Sequence, residues 1–393
     1  MSYTIKVNPQ DFIVEEIPND LKRVENGKYT ILKVVLTNWE TNHFVTHLAR
    51  YLGMSRKRIT FAGTKDKRAI TTQYFCINGS VNADQIRIKD CEVEESFYVD
   101  KPLNLGDLKG NRFEIRVSDS EMIVENAAKR IDEISRNKGF WNFFGIQRFG
   151  TIRYNTHKVG REIVKNGIEN AVKEYLFDPE IDNEDFRVKL GENWDYASGL
   201  KNYPEHLQFE RALMSELVSG KSYDQSFDSL PKSLRIMFIH AYQSYLFNKI
   251  LNYRKELTEN PFEIFSGDFI SPVDEFYNID EDKIILVNEF NIERMQDLAK
   301  AGKIAPLAPL IGTETKNQDG IPGDIIRRVM IEDDLKFSDF KIEKKNELSS
   351  KGNYRSIGFR PINFSTNGTG LLKFSLGRGI YATSLLDQVF KSD

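Results

Sequence analysis

From Ile59 to Ile77 the chain reads as strand, cationic turn, strand, and no other stretch narrows its possible folds as far. Ile59-Thr60-Phe61 and Tyr74-Phe75-Cys76-Ile77 are apolar, β-branched or aromatic runs of strand type. Between them one carboxylate, Asp66, stands beside Lys65, Lys67 and Arg68. A loop carried between two strands is where a rigid scaffold usually presents a reactive group. Gly63 allows the sharp turn. The neighbouring cations favour the ionised form of Asp66, which suits a nucleophile better than a proton donor. The same cations could hold the phosphates of a polyanion.

With 393 residues the chain has room for two or three domains of about 100–200 residues each. Its Phe and Tyr content is high, 27 and 16 residues, and such rings both fill cores and stack on bases. Composition does not divide them between the two roles. The net charge of −3 does not exclude a nucleic-acid partner, because placement of charge matters more than its sum. Gly53 to Gln73 carries Arg56, Lys57, Arg58, Lys65, Lys67 and Arg68 against Asp66 alone. Lys341 to Arg360 is a second basic tract, and acids collect at Glu180 to Asp185. Either tract taken alone reads equally well as a solvated surface.

Cys76 and Cys91 are too few for a disulfide framework or a zinc quartet. The first residues lack a signal-peptide core, and no apolar run approaches 18 residues, so a reduced, cytoplasmic, soluble protein is expected. His43 and His47 have metal-ligand spacing but enclose Phe44-Val45-Thr46, without a peptidase glutamate, and read as structural. Gly63-Thr64-Lys65 lacks the upstream glycine of a Walker loop. No serine-hydrolase elbow or dinucleotide fingerprint is present.

Strands are expected at 12–14, 29–36 and 112–117. Asn38 should cap a helix bearing Phe44, Val45, Leu48, Tyr51 and Leu52, which Gly53 ends. A helix is expected from Met122 to Asn137 with Ile123, Ala127, Ile131 and Ile134 on one face. Such a mixture is α+β. After Gly150 the chain turns helical, over 161–177 and over 234–254 behind Pro231. Gly320-Ile321-Pro322-Gly323 reads as a turn and 344–353 as a flexible polar crossing. The tail returns to a strand, 371–376, and a helix, 381–390.

Three further clusters have open readings. Trp141 to Gly150 packs four aromatics, Asn142, Gln147 and Arg148 into ten residues; it suits an unstacked base, but on the residues alone a core strand ending in a turn is the better reading, because aromatic runs are usually core. His240 to Asn248 reads as helix packing, with Tyr242, Tyr245 and Leu246 sharing a face. Gly377 to Thr383 lays Tyr381 over a ligand or merely connects two elements.

Taken in order, Lys6 to Glu15, Phe61 to Gln73, Leu105 to Phe113, Asn142 to Gly150 and Gly379 to Thr383 resemble the TruD family of tRNA pseudouridine synthases. The resemblance implies an isomerase without a cofactor or metal that detaches uracil from ribose, turns it and rejoins it through carbon. It places Asp66 at the family's essential aspartate and Lys6 beside that carboxylate. It places Asn142 and Phe144 in the uridine pocket, and Tyr381 where bacterial members carry Phe. Lys65, Lys67, Arg68 and Arg148 then become substrate-binding residues. The architecture implied is α+β: a pseudouridine-synthase catalytic domain, a mixed and largely antiparallel sheet flanked by helices, formed by residues 1–159 and 359–393. A large α/β insertion would occupy 160–358. The partner implied is tRNA, modified at position 13, bound by a monomer with no obligate protein partner. Two other readings keep the basic and aromatic features: a catalytically silent RNA-binding factor, and a nucleotide-phosphate site at the Gly63 loop.

Overall fold

A computed structural model describes residues 4–5, 7–65, 67–117, 121–367 and 370–390. The contacts divide the chain into two units. One comprises residues 1–142, 273–279 and 358–393, the other 143–272 and 280–357.

The strands of the first unit are β1 (Phe12–Pro18), β2 (Tyr29–Thr37), β3 (Ile59–Phe61), β4 (Ile70–Asn78), β5 (Cys91–Val99), β6 (Leu108–Arg116) and β7 (Phe140–Trp141). The second unit supplies β8 (Phe269–Pro272), β9 (Ile285–Leu286), β10 (Ile304–Leu310) and β11 (Asn353–Ser356). The chain then returns to the first unit with β12 (Gly358–Phe359), β13 (Ile362–Thr366) and β14 (Leu371–Gly377).

An eight-stranded sheet organises the first unit in the order β13-β14-β6-β1-β4-β2-β5, with β3 paired to β4. Only β1 and β4 run parallel, so the sheet is mixed and largely antiparallel. Strand alternation sends Leu32, Val34, Leu36, Phe75 and Ile77 to one face. The helix Thr41–Tyr51 covers that face with Phe44, Val45 and Leu48, each contributing roughly 1.5–3 kcal/mol by burial. Ile31, Cys76, Val99 and Leu108 pack on the other face. Farther along the sheet, Phe113, Ile115, Leu372 and Phe374 meet Ala127, Ala128 and Ile131 of the helix Glu121–Asn137. Leu385, Leu386 and Val389 of the helix Ala382–Phe390 join them. The side chain of Ile123 lies outside the described residues.

The second unit is mainly helical around a four-stranded antiparallel sheet, β11-β10-β8-β9. Its longest helix, Lys232–Lys255, buries Tyr242, Leu246 and Phe247 completely and follows Pro231 as expected. His43 and His47 lie on the exposed side of their helix, their rings 5.3 and 5.4 Å from Trp39, as structural residues.

Three local expectations fail for identifiable reasons. Asn38 does not cap the helix: it takes a left-handed φ of 60° and donates its N–H to Ala69 O. Glu40 caps instead, its carboxylate accepting from the N–H groups of Asn42 and His43 at 3.0 and 2.9 Å. Residues 161–177 are mainly helical, as expected, in two helices, Thr156–Lys165 and Ile168–Leu176, with Gly167 at φ 91° between them. Gly320 to Gly323 opens the helix Gly320–Glu332, since a proline in the first turn forfeits no intrahelical bond. Residues 344–353 are no loose crossing: Lys345 is buried against Asp228 at 2.7 Å, and Ser350 Oγ accepts from Gln243 Nε2 at 2.8 Å.

Burial drives one pH-dependent term in the second unit. His157 sits among Phe149, Tyr154 and Tyr245, stacked on the last at 4.8 Å, and its Nδ1 has no hydrogen-bond partner among the described residues. Burial first, and Lys158 second, push its pKa down to about 4, against the opposing pull of Asp178 and Asp333. The unfolded chain takes up this proton near pH 6.5, the folded chain only near 4. This contribution is therefore complete above pH 6.5 and is lost as the pH falls through that window. The variant His157→Phe should lose up to about 3 kcal/mol less stability between pH 7 and 4 than the parent, read by urea unfolding at both values.

Candidate active site

The Asp66 loop rests on a buried polar rail. Thr41, at the first position of its helix, is fully buried, and so is Gln73 on β4. Thr41 Oγ1 accepts from the Lys65 N–H at 2.7 Å and donates to Gln73 Oε1 at 2.9 Å. Gln73 Nε2 passes the chain on to Thr71 Oγ1 at 2.9 Å. One hydroxyl therefore spends its acceptor on the loop and its proton on the sheet. The backbone immediately before position 66 is fixed to the helix start and a central strand at once.

The Lys65 side chain adds a second tie. Its ammonium meets Glu16 Oε1 at 2.5 Å, with the two side chains 10% and 1% exposed. Glu16 Oε2 accepts from the Tyr74 N–H at 3.0 Å, so both carboxylate oxygens are engaged. Lys67 and Arg68 behave differently: both are exposed. Arg68 holds a left-handed φ of 65°, a conformation costing about 1–3 kcal/mol outside glycine and concentrated at functional sites. Asp66 and Lys6 lie outside the described residues.

In the second unit the helix Lys232–Lys255 holds the 144–148 segment through residues spaced four apart. Asn248 forms a reciprocal amide pair with Phe144, accepting from its N–H at 2.9 Å and donating to its carbonyl at 3.0 Å. Arg148 Nε donates to Ser244 Oγ at 3.0 Å, and that hydroxyl donates to His240 O at 2.7 Å. The Phe144 ring is 9% exposed and meets Phe247 edge-on at 5.5 Å. The Arg355 and Arg148 guanidinium carbons lie 4.3 and 5.6 Å from its centroid, within cation–π range. The result is a buried aromatic ring flanked by two guanidinium groups.

Two further candidates belong to the first unit. Asn142 is buried and follows Trp141, whose backbone is clamped by Gln388: Gln388 Oε1 accepts at 3.0 Å and Nε2 donates at 2.9 Å. Tyr381 is half-buried, and its carbonyl accepts from the N–H groups of Ser384 and Leu385, so it sits at the mouth of the last helix. Glu16 and Thr41 escaped the sequence reading, which placed Asn248 only in a helix-packing cluster and Arg355 only in a basic tract. Glu16 directly follows the Lys6 to Glu15 stretch, and Gln73 closes its motif, but nothing local marks Thr41.

Replacing Thr41 by Val leaves the Lys65 N–H and the buried Gln73 carbonyl without their shared partner. That should cost about 1–3 kcal/mol in urea unfolding, with Thr41→Ser restoring most of it.

The described residues contain no group of three or more His, Cys, Asp or Glu able to hold a metal ion. Nor do they include a helix long and apolar enough to cross a membrane. The family model for tRNA pseudouridine synthase D (TruD) matches residues 1–389. A Picrophilus torridus protein named "Probable tRNA pseudouridine synthase D" is 44% identical over 394 residues, covering 98% of this chain and 93% of that protein. A Thermoplasma volcanium protein of the same name is 44% identical over 389 residues, at 98% and 93% coverage. The crystal structure of the Methanosarcina mazei TruD protein superposes with a TM-score of 0.79 at 37% identity, covering 99% of this chain and 93% of that one. A match of this extent, on the fold and the braced loop described above, makes this chain a member of the TruD family of tRNA pseudouridine synthases.

Proposed function

We propose that this chain isomerises a uridine of tRNA, at position 13, to pseudouridine, with Asp66 as the reactive carboxylate. The observation that carries the reading is the family match across 1–389, and the bracing of Lys65 between β3 and β4 supports the choice of its sequence neighbour Asp66. In the reaction the glycosidic bond from ribose to nitrogen breaks and one from ribose to carbon 5 forms. Carbon 5 gives up its proton and the freed nitrogen gains one, so atoms and electrons balance without a cofactor. Asp66 serves as nucleophile toward the ribose or as base for one of its protons. Lys6 partners that carboxylate.

The base must leave its stack to react, at a cost of a few kcal/mol. Stacking on Tyr381 offsets that by about 1–3 kcal/mol per base. Asn142 pairs with the edge of the uracil. Lys67, Arg68 and Arg148 neutralise phosphates, while Lys65 enters the site already engaged by Glu16. We assign residues 1–159 and 359–393 to the catalytic domain and 160–358 to the family-specific insertion. The enzyme is taken to act in the cytoplasm as a monomer with no obligate protein partner.

Asp66→Asn should abolish product in a carbodiimide-based pseudouridine assay on tRNA while leaving the dissociation constant for tRNA within about twofold of the parent, since one acceptor oxygen remains for binding. Normal turnover by that variant would exclude Asp66 as the reaction centre. Removing both Lys67 and Arg68 charges should weaken tRNA binding and flatten the slope of log K against log salt by roughly 0.7–0.9 per lost phosphate contact. An unchanged slope would place those cations away from the RNA.

A further inference from the structure

Residues 273–279 leave the sequence run of the second unit and pack as part of the first. Nothing in the sequence marks them for this. They form a closed turn wound on Asp274. Asp274 Oδ1 accepts from the N–H groups of Phe276 and Asn278 at 2.8 and 2.9 Å, and the Asp274 N–H donates to Asn278 O at 3.1 Å. Tyr277 completes it at a left-handed φ of 61°, with its hydroxyl accepting from Arg360 at 2.8 Å.

The turn docks where β6 and β14 bring two glycines opposite each other, Gly110 and Gly377. A Cβ on Gly377 would lie 2.2 Å from Phe276 O and 3.0 Å from Asn278 Oδ1. A Cβ on Gly110 would lie 3.0 Å from the Phe276 ring and 2.2 Å from Leu376 O. Glycine at both places is what admits the turn.

At the centre of the contact is the Asn278 amide. Its Nδ2 donates to Lys109 O at 2.7 Å and to Asp274 Oδ2 at 2.9 Å. Its Oδ1 accepts from the Arg378 N–H at 3.1 Å, which also reaches Lys109 O at 3.2 Å. One side chain thus joins the first residues of β6 to the residue that leaves β14. The loop beyond shares its anchorage with the core: Ile380 is buried there and its N–H closes back on Gly377 O at 3.2 Å, the Arg378 guanidinium donates to Gly106 O at 3.3 Å, and Gly379 takes φ 72°. Three residues past Arg378 comes Tyr381.

We propose that Asn278 is a positioning residue for Tyr381, with the 274–278 turn bracing the Gly377–Tyr381 loop in the setting from which that ring meets the target base. The inference rests on the assignment of Tyr381 to the uridine site under Proposed function. It adds a contribution from the middle of the chain to a site otherwise built from its two ends. The turn acts on orientation, not on RNA affinity, because the groups it holds are backbone atoms behind the loop. A misplaced ring loses rate in the reaction step, and displacements of this size are costly far from the chemistry itself.

The test is a double-mutant cycle on the full-length protein, with single-turnover pseudouridine formation and tRNA binding measured side by side. Asn278→Ala should slow the single-turnover rate about tenfold with the tRNA dissociation constant changed less than about twofold. Tyr381→Ala should be slow as well, and the pair of substitutions no slower than Tyr381→Ala alone. Asp274 is exposed, so Asp274→Ala loosens the turn without stranding a buried group, and it should show a smaller loss that Tyr381→Ala likewise masks. Additive losses, or an Asn278→Ala rate equal to the parent's, would overturn the assignment. So would a defect confined to lower melting temperature and a smaller active fraction. A parent protein that makes no pseudouridine would instead sink the enzymatic reading itself, and Tyr381→Ala at full activity would remove Tyr381 from the site and the proposal with it.

Discussion

The hydroxyl of Thr41 is the point on which the candidate site depends. A buried donor or acceptor without a partner costs about 1–3 kcal/mol, so a buried polar group fixes its neighbours more strictly than an apolar one does. Thr41 Oγ1 stands between the Lys65 N–H and the Gln73 amide, with no remaining proton to offer elsewhere. The loop, the helix start and β4 must therefore move together or lose that pairing. Glu16 imposes the same requirement on the Lys65 ammonium. Between them they determine the chain path into position 66, while Lys67 and Arg68 remain exposed.

A comparable device recurs at three other segments the functional reading calls on or adjoins. Gln388 clamps the backbone at Trp141, Asn248 clamps it at Phe144, and Asn278 clamps it at Arg378. In each case a side-chain amide from a distant part of the chain takes both a donor and an acceptor role. A primary amide suits this because it carries both functions on a rigid plane, so one side chain sets position and direction together. Loops that present reactive or recognition groups cannot rely on a strand ladder for their backbone bonds. These amides supply the missing partners.

Much of the framework was legible beforehand. The strands around residues 12–18, 29–37 and 70–78 follow from β-branched and aromatic runs, and the helix Thr41–Tyr51 from the 3.6-residue recurrence of Phe44, Val45 and Leu48. The misreadings fall where two local explanations competed. Asn38 has the chemistry of a helix cap and also the tolerance for a left-handed turn, and the second use prevailed because Glu40 reaches the free N–H groups. Gly320 to Gly323 has the composition of a turn, yet glycine and proline are harmless in a helix's opening residues. Lys345 looked like surface charge because nothing nearby in sequence announces Asp228.

For the site, identity and arrangement divide cleanly. Asp66, Asn142, Phe144 and Tyr381, the residues proposed for the site, were named from the family resemblance and its motif order. Thr41, Glu16 and Asn278 could not be, because each acts on a partner 24 to 100 residues away: Thr41 on Lys65, Glu16 on Lys65, Asn278 on Arg378. Local composition and periodicity determined which segments become strand, helix or loop. Only the folded chain decided which distant amides, hydroxyls and carboxylates hold those groups in place. Such pairing is settled by the sheet order and by the need to satisfy every buried polar atom, conditions that exist only once the elements have packed.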